Sequence, residues 1–189
     1  MADETFARLV VLACHDLRTP LATVGGFTKM IGRVDDLDER TAQFVELIDG
    51  ATDQMRALLA QLALAARIES GRYEPVLATA DTLDLVQSDD PRIRVTGSGT
   101  VVETDASAIR DALAALAVAA ARHGGLGEVS WSVDGCSLEL SPVTVSAGPV
   151  LTGEEPKDLG ALVARIVIER LGGTLSLADE TLRVTLASR

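Results

Sequence analysis

Side chains able to do chemistry crowd into Cys14-His15-Asp16-Leu17-Arg18-Thr19-Pro20-Leu21. Apolar residues recur around this stretch at Phe6, Val10, Ala13, Leu17, Val24, Phe27 and Ile31, in alternating steps of four and three, with Pro20 filling the one gap. That period belongs to a helix packed in a bundle. With Val10, Leu17, Val24 and Ile31 at heptad position a, His15 falls at f, the position furthest from the seam. Arg18 and Thr19 fall at b and c, three and four residues after the histidine, so the three share an outward face. Asp16 flanks that face at g. An imidazole held in water beside a carboxylate, a guanidinium and a hydroxyl suits phosphoryl transfer to and from histidine. One ring nitrogen is the nucleophile, and the other carries a proton that the carboxylate can hold. The guanidinium can take phosphate oxygens in a two-pronged contact. Pro20 removes a backbone donor and is expected to bend the helix just past the site.

The run His15-Asp16-Leu17-Arg18-Thr19-Pro20-Leu21 resembles the H-box of the histidine-kinase dimerisation and phosphoacceptor domain, matching it at every position. The resemblance implies that His15 is the phosphoacceptor, with Asp16 and Arg18 assisting. It also implies that Thr19 stands where a hydrolytic water is positioned. Other reactive side chains are few. Cys14 and His15 are adjacent, hence about 100° apart on a helix, and no further Cys or His cluster joins them, so no metal site is expected. Cys14 and Cys136 lie in segments of different character and are expected to stay reduced. His123 closes a helix before Gly124-Gly125, where it is expected to stabilise the negative helix end.

The elements that must position His15 are two long helices. The first is expected from Asp3 or Glu4 to Met30, with a turn at Gly32 and a cap for the second helix at Asp36, three residues before Glu39. The second carries Phe44, Ile48, Ala51, Met55, Leu58, Leu62 and Ala65 at the same spacing, until Gly71 ends it and Pro75 forbids a restart. Such a hairpin cannot cover its own seam, so two copies should form a four-helix bundle. The segment Ala66-Arg67-Ile68-Glu69-Ser70-Gly71 also resembles the usual end of the phosphoacceptor hairpin. Residues 1–72 are thus read as a dimerisation and phosphoacceptor domain, and residues 73–189 as a second domain.

That second domain reads as an α/β layer, a sheet covered on one face. Strands are expected over 92–95, 100–103, 128–133, 137–145, 174–177 and 181–186, and helices over 81–86, 107–122 and 158–171. The 189 residues accommodate one mid-sized or two small domains, and a core of Leu, Val, Ile and Ala follows from 47% hydrophobic but only 3% aromatic content. A net charge of −11 argues against nucleic acid or an anionic membrane as main partner. No run is long enough to cross a bilayer and the first residues do not read as a signal peptide, so a cytoplasmic location is expected.

The second half resembles the ATP-binding domain of histidine kinases in degenerate form. The segment from Asp105 to Gly125 has the spacing of the family's N-box helix, but the asparagine positions, one a magnesium ligand in the family, hold Ala115 and Ala119. Residues 141–150 contain no acid to match the loop that holds the adenine. Of the glycine-rich lid only Gly160 remains, and 145–157 leaves room for one ordinary loop. Magnesium needs oxygen ligands, and phosphoryl transfer from ATP rests on positioning and the metal, so no cofactor is expected on this chain. The plan is similar to the dimeric phosphotransferases of bacterial phosphorelays, though Arg18-Thr19-Pro20 departs from the cell-cycle type. The resemblance implies a homodimer whose His15 exchanges a phosphoryl group with receiver-domain aspartates. The receivers would bring Mg²⁺, and a hybrid histidine kinase could stand upstream. The alternatives are a divergent ATP-dependent kinase core and a non-catalytic dimeric scaffold for a response regulator.

Overall fold

A computed structural model describes residues 2–34 and 37–187, with side chains from Phe6 onward. The chain divides into two units, Met1–Arg72 and Tyr73–Arg189. The first is a pair of helices, α1 (Ala2–Ile31) and α2 (Glu39–Glu69). α1 runs through Pro20, whose missing N–H leaves the Asp16 carbonyl without its usual intrahelical donor. The expected cap at Asp36 lies outside the described residues. Asp38 caps α2 by accepting from the Thr41 N–H at 2.9 Å. At the far end Gly71 takes a φ of 67°, and the Arg72 N–H returns to the Arg67 carbonyl at 2.8 Å. Without a Cβ that ending costs little.

The stripe that α1 turns toward α2 is not the a/d series. Ala7, Cys14, Leu21 and Thr28, seven residues apart at heptad e, are buried, together with Gly25 on the adjoining column b. Phe6, Leu17, Val24, Phe27 and Ile31 stay exposed, as do Phe44, Ile48, Met55, Leu58 and Leu62 on α2. The physical reason is size. Small side chains on both helices, Ala7 and Cys14 against Thr52, Ala63 and Ala66, allow a close approach, while the larger residues stand outside it. Leu17, Pro20, Leu21 and Val24 with Met55, Leu58 and Leu59 line an apolar groove along that open side.

In the second unit five strands form a sheet in the order β2 (Ile93–Gly99), β4 (Val129–Gly135), β5 (Ser137–Ser141), β7 (Thr181–Thr185), β6 (Thr174–Ala178). β2 and β4 are parallel and the other neighbours antiparallel. Alternation puts Val129, Trp131, Val133, Leu138, Leu140, Leu182 and Val184 on the buried face. Ser132, Asp134, Glu139 and Arg183 line a polar groove on the opposite face, where Arg183 donates to Glu139 at 2.7 Å. Helices α4 (Ala106–Gly124) and α6 (Leu159–Arg170) pack together over the apolar side, so one face is covered, as the pattern predicts.

Three local expectations need correction. The strand expected over 137–145 stops at Ser141, because Pro142 has no N–H for the ladder. A short strand β1 (Ala78–Asp81), unforeseen, pairs with β3 (Val101–Thr104) in a separate two-stranded sheet. A one-turn helix α5 (Gly148–Thr152) occupies part of what reads as loop; the brief helix expected over 81–86 is present as α3 (Thr82–Leu85), capped by Asp81 and Val86. Among the described residues no helix is long and apolar enough to cross a membrane.

Candidate phosphoacceptor site

With the contact to α2 at e and the larger apolar residues at a and d, position f of α1 is left for solvent. His15 occupies it, with its side chain 76% exposed. Its Nδ1 lies 3.2 Å from Asp16 Oδ1. A carboxylate only accepts, so this contact places a proton on Nδ1 and leaves the Nε2 lone pair as the nucleophile. The expected site residues His15, Arg18 and Thr19 come together with Ala22 and Thr23 around one shallow groove, and Asp16 reaches it through the imidazole. Among the described residues no carboxylate pairs with Arg18. Thr19 sits one turn after His15, and its carbonyl accepts the Thr23 hydroxyl at 3.1 Å. Spacing of i+7 and i+8 from His15 would have revealed Ala22 and Thr23.

Sequence reasoning gave no sign of Arg56. A Cβ built on Gly25 would collide with the Arg56 guanidinium and would stand 3.2 Å from Thr52 Cγ2. The guanidinium of an α2 residue therefore fills the side-chain space of an α1 glycine, one heptad after Arg18 on column b. Asp53, one turn before, pairs with Arg56 and steers it. The signal lay in no single segment, because it depends on which turn of α2 meets Gly25.

In the second unit, α4 is the helix whose spacing matches an N-box. Asp105 caps it, accepting from the Ala108 N–H at 3.2 Å, the Val76 N–H at 3.2 Å and the Tyr73 hydroxyl at 2.8 Å. Burial works to raise the Asp105 carboxyl, but the Tyr73 hydroxyl and these N–H groups outweigh it and hold it below the ordinary range. Ala115 is half-buried, and Ala119 is 1% exposed among Leu116, Ala117 and Ala120, which are fully enclosed. Neither methyl offers a ligand to a metal or a nucleotide.

At the C-terminal end of α4, His123 Nε2 lies 3.1 Å and Arg122 Nη1 3.2 Å from Asp158 Oδ2. The other Asp158 oxygen caps α6 through the Ala161 N–H at 3.1 Å. His123 thus has a structural role, through its contact with a carboxylate of the neighbouring helix. Burial would raise Asp158, and the Ala161 N–H, His123 and Arg122 more than offset it. Ser141 and α5 are joined by a turn that carries Val145 out into solvent, and residues 153–157 connect α5 to α6.

Residues 8–71 match the His Kinase A (phospho-acceptor) domain. The probable sensor histidine kinase TcrY of Mycobacterium tuberculosis is 39% identical over 72 residues, which cover 38% of this chain and 15% of that protein. Sensor protein KdpD of the same species is 28% identical over 214 aligned residues, covering 94% of this chain and 25% of its own length. The chain therefore spans a quarter or less of the curated relatives it matches. The solved histidine kinase AdeS of Acinetobacter baumannii shares the fold with a TM-score of 0.56 at 19% identity, over 92% of this chain and 98% of that one. Residues 8–71 thus match the His Kinase A phospho-acceptor domain, and the chain shares its fold with a solved histidine kinase.

Proposed function

We propose that this chain is a histidine phosphotransferase of a two-component phosphorelay, a homodimer that passes a phosphoryl group between His15 and receiver aspartates. The observation that carries the reading is a contrast. The His15 face has every group that transfer needs, while the second unit has methyl groups at Ala115 and Ala119, where a kinase needs oxygen and nitrogen. In the forward step the His15 Nε2 lone pair attacks phosphorus of a receiver aspartyl phosphate. The bond from phosphorus to the aspartyl oxygen breaks, and the carboxylate leaves with the electron pair. Asp16 keeps the proton on Nδ1 and balances the positive ring, and Arg18 takes phosphoryl oxygens. The return step to a second receiver is the reverse. Mg²⁺ belongs to the receiver, and the chain itself supplies the nucleophile and its supports.

The test mixes the protein with receivers that carry labelled aspartyl phosphate. Label is expected on His15 and on nothing in the His15→Ala protein. Normal labelling of that variant would replace this reading with a scaffold. The likeness to sensor kinases favours a second reading, a divergent ATP-dependent kinase, and autophosphorylation of His15 from ATP alone would select it.

A further inference from the structure

α1 departs from the charge of the rest of the molecule. The chain carries −11 overall, yet between Phe6 and Gly32 the only acid is Asp16, against Arg8, Arg18 and Lys29. These cations are not scattered around the helix. Arg8 and Lys29 share column f with His15, one heptad before it and two after it, and Arg18 lies on the adjoining column b. Gly25 is the next residue of column b, about 10 Å further along the axis. It is the place where Arg56 reaches over from α2 and fills the space a side chain would take. Arg56 thus extends the line begun by Arg18. Ala22, Gly25 and Gly26 keep the helix surface low between these charges and the histidine.

We infer that Arg56, seated over Gly25, is a receiver-recognition residue: it extends the basic strip from His15 along α1 and pairs with acidic groups that border the partner's phosphoaspartate pocket. The inference rests on the phosphotransferase reading. A receiver that offers an aspartyl phosphate, and the carboxylates that hold its Mg²⁺, must approach His15 with a strongly negative face. The strip it meets on α1 carries Arg18 and Lys29, and Arg56 joins them while paired with Asp53 of its own helix. Charge complementarity of this kind raises the encounter rate and fixes orientation, and salt weakens it. Gly25 is then a positioning residue, because only an absent side chain lets the guanidinium lie on α1. Arg56 does not touch the reacting atoms, so its effect belongs in receiver affinity and not in the transfer step.

The experiment uses the full chain and the receiver domain that gives the fastest label transfer to His15. Transfer rate is measured against receiver concentration at low and high salt for four proteins: wild type, Arg56→Ala, Gly25→Ala and the double variant. Arg56→Ala should raise the half-saturating receiver concentration about fivefold, leave the maximal rate unchanged, and flatten the salt dependence. Gly25→Ala keeps Arg56 but evicts its guanidinium; alanine is the better helix former, and the 3.2 Å approach to Thr52 Cγ2 asks for a shift of only a few tenths of an ångström. It should reproduce the affinity loss of Arg56→Ala, and the double variant should be no worse than either single one. Arg56→Lys should recover part of the affinity. Unchanged half-saturation and salt dependence in Arg56→Ala would overturn the inference while leaving His15 as phosphoacceptor. Additive losses in the double variant would overturn the positioning role of Gly25. Absence of label from wild type with every receiver would overturn the inference and the phosphotransferase reading together.

Discussion

A histidine at heptad f is ordinarily a solvated surface residue. What sets His15 apart is its company. Asp16 Oδ1 stands 3.2 Å from Nδ1, and Arg18 and Thr19 project from the next turn. Each has a distinct task in the proposed transfer, so each should fail differently. Asp16→Asn keeps a hydrogen-bonding group but removes the charge that balances the ring. It should slow transfer by about 10²–10⁴-fold, read by quenched-flow labelling of His15. Thr19→Ala should leave that rate alone and lengthen the lifetime of the label on the receiver. A Thr19→Ala protein that transfers slowly and hydrolyses normally would reverse the assignment. That these four side chains lie close together on α1 was readable from the sequence, because one helix period places them. Arg56 was not, since its position relative to His15 is set by tertiary contact.

The elements divide the surface of α1 into separate stripes. Column e goes to α2, columns a and d carry the exposed large apolar residues, and column f carries His15. The heptad reading correctly separated His15 from the apolar residues but gave no hint that the contact with α2 would lie at e. The a/d period is stronger in hydrophobicity, whereas close helix packing selects for small side chains. Leaving Phe6, Leu17, Val24, Phe27 and Ile31 in water forfeits roughly 1.5–3 kcal/mol for each large side chain that a second copy could cover. The expected outcome is a mass of two chains by light scattering, and of one chain for the Leu17→Asp, Val24→Asp double variant. A wild-type monomer at micromolar concentration would sink the dimer. In the α/β unit, β1 and α5 escaped notice because elements of one turn or a few residues show no period, and Pro142 marked an end that the apolar alternation ran past.

For the whole molecule the question is what holds the α/β unit together if no nucleotide does. Carboxylates hold both ends of α4: Asp105 ties its start to Tyr73 and Val76, and Asp158 ties its end to the start of α6. Both carboxyls are held below their ordinary pKa. A depressed folded pKa means the ionised form is favoured by folding. The contribution is therefore complete above the unfolded value, about 3.9, and is lost as pH falls through the folded one. Urea unfolding should show wild type losing more stability than Asp105→Asn between pH 5 and pH 3. Parallel losses would mean that Asp105 contributes no acid lability. On the proposed function, calorimetry with ATP and Mg²⁺ should give no measurable heat of binding, and micromolar affinity would restore the kinase. The broad α/β layout was legible from element order, but these clamps join residues more than thirty positions apart and leave no local pattern.

The two alanines of α4 differ in what each position would tolerate. Ala115 is half-buried, so an asparagine there could turn its amide toward water. Ala119 is 1% exposed, and an asparagine there would overfill the packing, at about 1–3 kcal/mol, and enclose an unpaired amide, at about 1–3 kcal/mol more. An asparagine at 119 would need its neighbours to shrink. That position is a lock: with the surrounding side chains closed on a methyl group, an amide is admitted only by a less stable protein.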